Sequence, residues 1–266
     1  MNIVYRLACH AGLWHACLMF PLRDDNPTVH ASVITFLLIG INIAVWIWIQ
    51  RLGMNPHFSR SVLEYGLIPG ELLGRLPQGS RVALGPNLVY TAGSPDVRTL
   101  ITSMFMHGGW LHLIGNLWFL AIFGDNVEDA MGPFRFLAFY LVCGLAAALA
   151  QIAAGPSSPV PMVGASGAIG GVMAAYVRLY PRAPVHVLVF LGFFITRIVV
   201  PAFLMLGYWF VLQVLGGLTD SGGARGGVAF WAHIGGFVAG WLLVRRFCHP
   251  VRLARCRRKR LRAIRA

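Results

Sequence analysis

The chain has 266 residues, 57% of them hydrophobic and 12% charged, with a formal net charge of +13. About a quarter of the residues in a soluble domain are charged, so this composition excludes one and indicates a polytopic membrane protein. The five cysteines, at 9, 17, 143, 248 and 256, do not form the pattern of a disulfide framework.

The N-terminal stretch MNIVYRLACHAGLWHACLMF has a weakly charged start, histidines in its apolar part and no small-residue cleavage site, so it does not read as a signal peptide. Met19 is a plausible alternative start, which makes residues 1–18 an extension of a cytoplasmic segment 1–31. Apolar runs follow at about 32–50, 99–123, 134–154, 162–180, 200–217 and 226–247. Each approximates the ~17–25 residues that cross a bilayer. The expected fold is therefore an all-α bundle of six transmembrane helices in one membrane domain, 32–248, with a long first external loop at about 51–99 and a basic tail, 249–266.

The segment 185–217 is too long for one span, and reading it as two gives seven in all. Charge decides against seven. The stretch from Arg245 to Ala266 holds ten Lys and Arg, and a short loop carries Arg178 and Arg182; only an even count puts both on the cytoplasmic side. Residues 185–199 are then expected to be an interfacial or re-entrant piece leading into span five. A basic tail beside a span serves as a topology anchor attracted to anionic headgroups, so no nucleic-acid partner is expected.

Ionisable residues inside spans are rare and usually functional. Here they are His107 and His112 in span two, His233 in span six and Arg197 at the start of span five, with Asn116, Ser166 and Gln213 as polar neutrals. All nine acidic residues lie outside the spans. No HExxH motif, paired intramembrane aspartates or carboxylate relay is present, which excludes zinc and aspartyl proteolysis and argues against proton-coupled transport. Serine and histidine chemistry, or packing alone, remains. No cofactor or metal is expected.

Depth separates these. Ser166 lies 12 residues before Arg178, His233 lies 12 before Arg245 and His112 lies 13 before Asp125. At ~1.5 Å per residue all three stand roughly 18–20 Å above their cytoplasmic ends, in a core about 30 Å thick. Span four is also short. From Gly164 to Arg178 it has 15 residues, and the preceding GPSSPVPM contains three prolines that exclude helix. Irregular backbone is then expected at membrane depth, which is tolerated only where it is buried or lines a wet cavity. Gly167, Gly170, Gly171 and Ala174 in span four, with Gly235, Gly236 and Gly240 in span six, would let the two helices approach closely.

HGGWLHLIGNLWFL (107–120), GDNVED (124–129), GASG (164–167) and AHIGGFVAG (232–240), in this order, resemble the rhomboid family of intramembrane serine proteases. The resemblance extends over about 32–248. It implies a Ser166–His233 catalytic dyad without a third acid, with His112 and Asn116 as oxyanion residues. It further implies transmembrane protein substrates with small or helix-breaking residues near the outer face, and a bacterial cell-membrane location with both termini cytoplasmic. Spacing of four residues puts His112 and Asn116 on one helix face. His107 is expected to shape the start of span two. Four residues after the nucleophile the family often has an aromatic that stacks on the histidine, whereas this chain has Gly170; the first external loop also lacks a Trp-Arg pair. Two competing readings are a rhomboid-like protein that binds membrane clients without cutting them, and a channel or transporter lined by His107, His112 and His233. The channel reading leaves GASG unexplained and finds no internal repeat.

Overall fold

The computed structural model describes residues 19–84, 89–191, 194–219 and 228–265. The possible extension 1–18, with Cys9 and Cys17, and Asp220 lie outside the described residues.

The long helices are α1 (Val33–Trp48), α2 (Trp110–Met131), α3 (Pro133–Ala154), α4 (Ser166–Leu179), α5 (Ala202–Thr219) and α6 (Phe230–Phe247), followed by α7 (Pro250–Arg265) in the basic tail. They correspond in order to the six apolar runs. By length and composition, two of them, α3 and α5, are long and apolar enough to cross a membrane, and α1 is a shorter apolar helix. Between α1 and α2 the chain forms a helix at His57–Tyr65 and a small hairpin of β2 (Arg81–Ala83) and β3 (Val89–Thr91). This segment is tied to the proline-rich stretch before α4, because Leu67 and Met162 exchange backbone hydrogen bonds at 3.0 and 2.8 Å. Tyr90 also donates its hydroxyl to Pro159 O at 3.1 Å.

Helix α4 sits at the centre. Every residue from Gly167 to Val177 is buried, as a helix walled on all sides by others must be. Ala147 and Cys143 of α3 press on one side of it, where a Cβ at Gly167 would stand 2.5 Å from Ala147 Cβ and one at Gly171 would stand 2.5 Å from Cys143 Sγ. On the other side α6 lies backbone to backbone with it. A Cβ on Gly236 would overlap the Gly167 carbonyl oxygen and stand 2.8 Å from the Gly167 carbonyl carbon, and Gly240 meets Gly171 in the same way. Apolar side chains such as Phe36, Leu111, Phe134, Leu204 and Leu242 face outward, exposed.

Residues 184–201, where an interfacial or re-entrant piece was expected, add strands to the expected all-α fold. They form a hairpin of β4 (Pro184–Leu191) and β5 (Phe194–Pro201), extended by the N-terminal strand β1 (Met19–Asp24) into an antiparallel sheet of order β1-β4-β5. Val185, Val187 and Val189 are all buried, giving one face of β4 the alternation of a half-buried strand. Arg197, opposite Leu188 in β5, is exposed. The sheet is joined to the helices where Tyr176 of α4 donates to Asp24 and Trp118 of α2 donates Nε1–H to Pro21 O at 2.7 Å, and within the sheet region His186 bonds Asp25 at 2.7 Å.

Helix α2 starts eleven residues later than the expected span, after Gly108 and Gly109, and continues to Met131. Its acidic end is absorbed by partners. Asp129 accepts from the backbone of Val29 and His30 and from the His30 ring, and Arg252 of α7 donates to Asp129 O at 3.0 Å. Glu128, fully buried, accepts from Ile34 N (2.9 Å), Thr35 N (2.7 Å) and Thr35 Oγ1 (2.8 Å). These are second- and third-position amides of α1, whose own N-cap Ser32 makes no side-chain cap bond, so a carboxylate from α2 caps α1 where the helix dipole favours negative charge. Glu128→Ala strands three buried donors. It is expected to cost about 2–4 kcal/mol, read as a lower unfolding midpoint in detergent, with Glu128→Gln losing less; equal midpoints for Glu128→Ala and the parent would refute the cap.

Candidate active site

Ser166 is the first residue of α4, where four backbone N–H groups have no intrahelical partner. The preceding Gly164 has φ +126°, a backbone open to glycine, and a Cβ there would lie 2.7 Å from His112 Nε2. Its N–H is held by Ser103 O at 2.9 Å. This turn presents the Ser166 hydroxyl on the side facing α6.

His233, in the first turn of α6, meets it. His233 Nε2 lies 2.7 Å from Ser166 Oγ, within the range that allows proton transfer between nucleophile and base. The other ring nitrogen, Nδ1, lies 2.7 Å from Gln213 Oε1 on α5. Trp209, one turn before Gln213, places its ring 5.6 Å from the His233 ring at an interplanar angle of 41°. Gly170 leaves the room for this arrangement: a Cβ there would already stand 3.2 Å from His233 O and 3.7 Å from the Trp209 ring. The aromatic contact to the histidine thus comes from α5 in this chain.

His112 and Asn116 stand together on α2, opposite the Ser166 turn. The Gly108 N–H donates to His112 Nδ1 at 3.2 Å, so in the neutral ring Nε2 carries the hydrogen. That nitrogen and Asn116 Nδ2 converge on Gly164, at 2.7 and 3.6 Å from the position of its missing Cβ. Asn116 Nδ2 is buried without a hydrogen-bond partner, an expensive state for a donor unless its partner arrives with a ligand. His107 stands apart from this group. It is fully buried, its backbone N–H and C=O are bracketed by the Gln50 side chain at 2.8 and 2.7 Å, and its ring lies edge-on to His112.

The four residues expected from the sequence, Ser166, His233, His112 and Asn116, are therefore drawn from three helices to one place. Gln213 and Trp209 were not assigned to the site. A signal for Gln213 existed: it is a polar residue within the apolar run 200–217.

A sequence family described as the Rhomboid domain matches residues 94–250, more than half of the chain. The chain belongs to the Rhomboid family. Among similar curated proteins are the Rhomboid protease GluP of Bacillus subtilis, 36% identical over 142 residues (53% of this chain, 25% of that protein), and the Rhomboid protease AarA of Providencia stuartii, 29% identical over 160 residues (55% and 50%). Rhomboid-like protein 11, chloroplastic, of Arabidopsis thaliana is 34% identical over 148 residues, 54% of this chain and 50% of that one. The matched region thus spans about half of these relatives or less. Membership of the Rhomboid family makes this an integral membrane protein, which accounts for the apolar side chains exposed around the bundle.

Proposed function

We propose that this rhomboid is an intramembrane serine endopeptidase that cuts peptide bonds in or near transmembrane segments of membrane proteins, with Ser166 as nucleophile and His233 as general base. The observation that carries the reading is the 2.7 Å approach of Ser166 Oγ to His233 Nε2. As Oγ bonds to the scissile carbonyl carbon, its proton passes to Nε2 and the carbonyl electron pair moves to oxygen. That oxyanion receives hydrogen bonds from His112 Nε2–H, Asn116 Nδ2–H and the Ser166 N–H. Collapse expels the amine, which takes the proton from His233, and water repeats the sequence on the acyl-enzyme.

The reading includes six spans, α1–α6, both termini cytoplasmic and a bacterial cell membrane as the location. Helix α4 is 14 residues long, about 21 Å, so Ser166 is recessed from the outer surface within a bilayer core of ~30 Å. A substrate helix must unwind there, because a peptide bond in a helix is hydrogen-bonded and poorly exposed. Small or helix-breaking residues near the outer face of a substrate span serve that need. The partners are transmembrane proteins and bilayer lipids, with no cofactor, metal or nucleic acid.

The test is cleavage of a single-span substrate by the purified protein in liposomes, with Ser166→Ala as control. Cleavage surviving that substitution overturns the mechanism. Intact substrate, together with no labelling of Ser166 by a fluorophosphonate, favours client binding without hydrolysis. Asn116→Ala is expected to lower kcat about 10²–10³-fold with little change in KM; a loss confined to KM would place Asn116 in ground-state binding instead.

A further inference from the structure

We infer that Gln213 is a positioning residue for this site, fixing both the tautomer and the orientation of His233; the inference rests on the Ser166–His233 reading above.

The assignment of the amide comes from its second partner. Gln213 Nε2 lies 3.2 Å from Trp209 O, one turn earlier on α5. A backbone carbonyl only accepts hydrogen bonds, so the NH₂ group faces Trp209 and the amide oxygen faces His233, where Oε1 stands 2.7 Å from Nδ1. The amide oxygen also only accepts, so Nδ1 carries the hydrogen. A neutral imidazole has one N–H. Nε2 is therefore the bare nitrogen, 2.7 Å from Ser166 Oγ and able to accept its proton. The hydrogen bonds run in one direction, from Ser166 O–H to His233 Nε2, from His233 Nδ1–H to Gln213, and from Gln213 to Trp209 O.

Burial gives this chain of bonds its weight. Gln213 is 5% exposed, on an otherwise apolar helix, and its amide would be costly there without partners. The groups against the His233 ring are Ser166 on α4 and Gln213 with Trp209 on α5, and the titratable His112 of α2 packs on Gly164, two residues before Ser166. Among the described residues no carboxylate hydrogen-bonds to the ring. An amide supplies the orientation that a carboxylate would, and its dipole favours the imidazolium that forms during attack, without placing a negative charge at membrane depth. Rotation of the ring is limited at the same time by Trp209, whose ring lies 5.6 Å from it.

The test uses the full chain in detergent or liposomes and four variants, Gln213→Met, Gln213→Glu, Ser166→Ala and His233→Ala. Histidine ¹⁵N spectra, with His233 assigned by its loss in His233→Ala, are expected to show Nδ1 protonated and Nε2 bare in the parent, and a mixture of tautomers in Gln213→Met. On a fluorogenic single-span peptide, Gln213→Met is expected to lower kcat about 10- to 100-fold with KM unchanged. Gln213→Glu keeps the acceptor and adds charge, so it retains the Nδ1–H tautomer and moves the acid limb of the kcat–pH profile to higher pH. An Nε2–H tautomer in the parent, or a Gln213→Met protein with the parent's tautomer and kcat, overturns the inference; so does a Gln213→Glu profile superimposable on the parent's, which decides the matter where Gln213→Met fails to fold. The tautomer measurement does not depend on hydrolysis. Cleavage that survives Ser166→Ala would remove the dyad itself and is read separately.

Discussion

Ser166→Ala, His233→Ala and the double variant are expected to lose about the same activity, on the order of 10⁴–10⁶-fold in kcat, in a liposome assay on a fluorogenic single-span peptide. The two side chains act as one unit through the 2.7 Å bond between Oγ and Nε2. Without the serine there is nothing to activate. Without the histidine, the hydroxyl has no base within reach, because among the described residues no other titratable side chain hydrogen-bonds to it. Losses in a shared step do not add. Fluorophosphonate labelling gives a second measurement, with the parent labelled at Ser166 and all three variants unlabelled. Single variants whose losses multiply in the double variant would mean that the two residues work in separate steps, against a common nucleophile–base pair.

Gly236→Ala is expected to be the most damaging change outside the reacting groups. Its added Cβ would overlap the Gly167 carbonyl oxygen and stand 2.8 Å from the carbonyl carbon and 3.4 Å from Gly167 Cα. These are backbone atoms of α4, one residue beyond the nucleophile, so no side chain can rotate away. The helices must separate instead. Overpacking of this kind costs about 1–3 kcal/mol, and a displacement of about 1 Å between reacting groups costs on the order of 10²-fold in rate. Both should be measurable, as a lower unfolding midpoint in detergent and a lower kcat. Gly40→Ala is the matching control, since a Cβ there meets nothing within 4 Å. If Gly236→Ala kept the parent's midpoint and kcat, α4 and α6 would not approach as closely as described.

The parts of this architecture legible in the chain are those governed by local rules. Helix rise is constant, so Ser166 and His233, each 12 residues before an arginine at the far end of its apolar run, could be matched in level before any packing was known. Prolines before α4 excluded helix there, and α4 does begin only at Ser166. Small residues in two helices signalled a close crossing, which the Gly236 and Gly240 contacts realise.

Other parts depended on partners far away in sequence. The stretch PVHVLVFL was expected to be an interfacial or re-entrant piece; it is a strand paired on one side with β5 and on the other with the distant β1, Phe20 opposite Leu188. Acidic residues 125–129 looked like the end of span two, yet α2 continues through them because the segment before α1, the start of α1 and Arg252 supply the hydrogen bonds they require. His233 was the sharpest case. With Gly170 in place of an aromatic, nothing nearby in sequence holds its ring, and the groups that do, Gln213 and Trp209, come from the preceding helix.

By itself, then, the sequence determined which residues are polar within the apolar runs, how far along each run they stand and that two helices can touch, because composition, rise per residue and side-chain size are local quantities. Only the tertiary structure decided which way each helix is turned about its axis. That rotation is set by the packing of surfaces distant in the chain, and it is what places an amide oxygen on one nitrogen of His233 and a serine hydroxyl on the other.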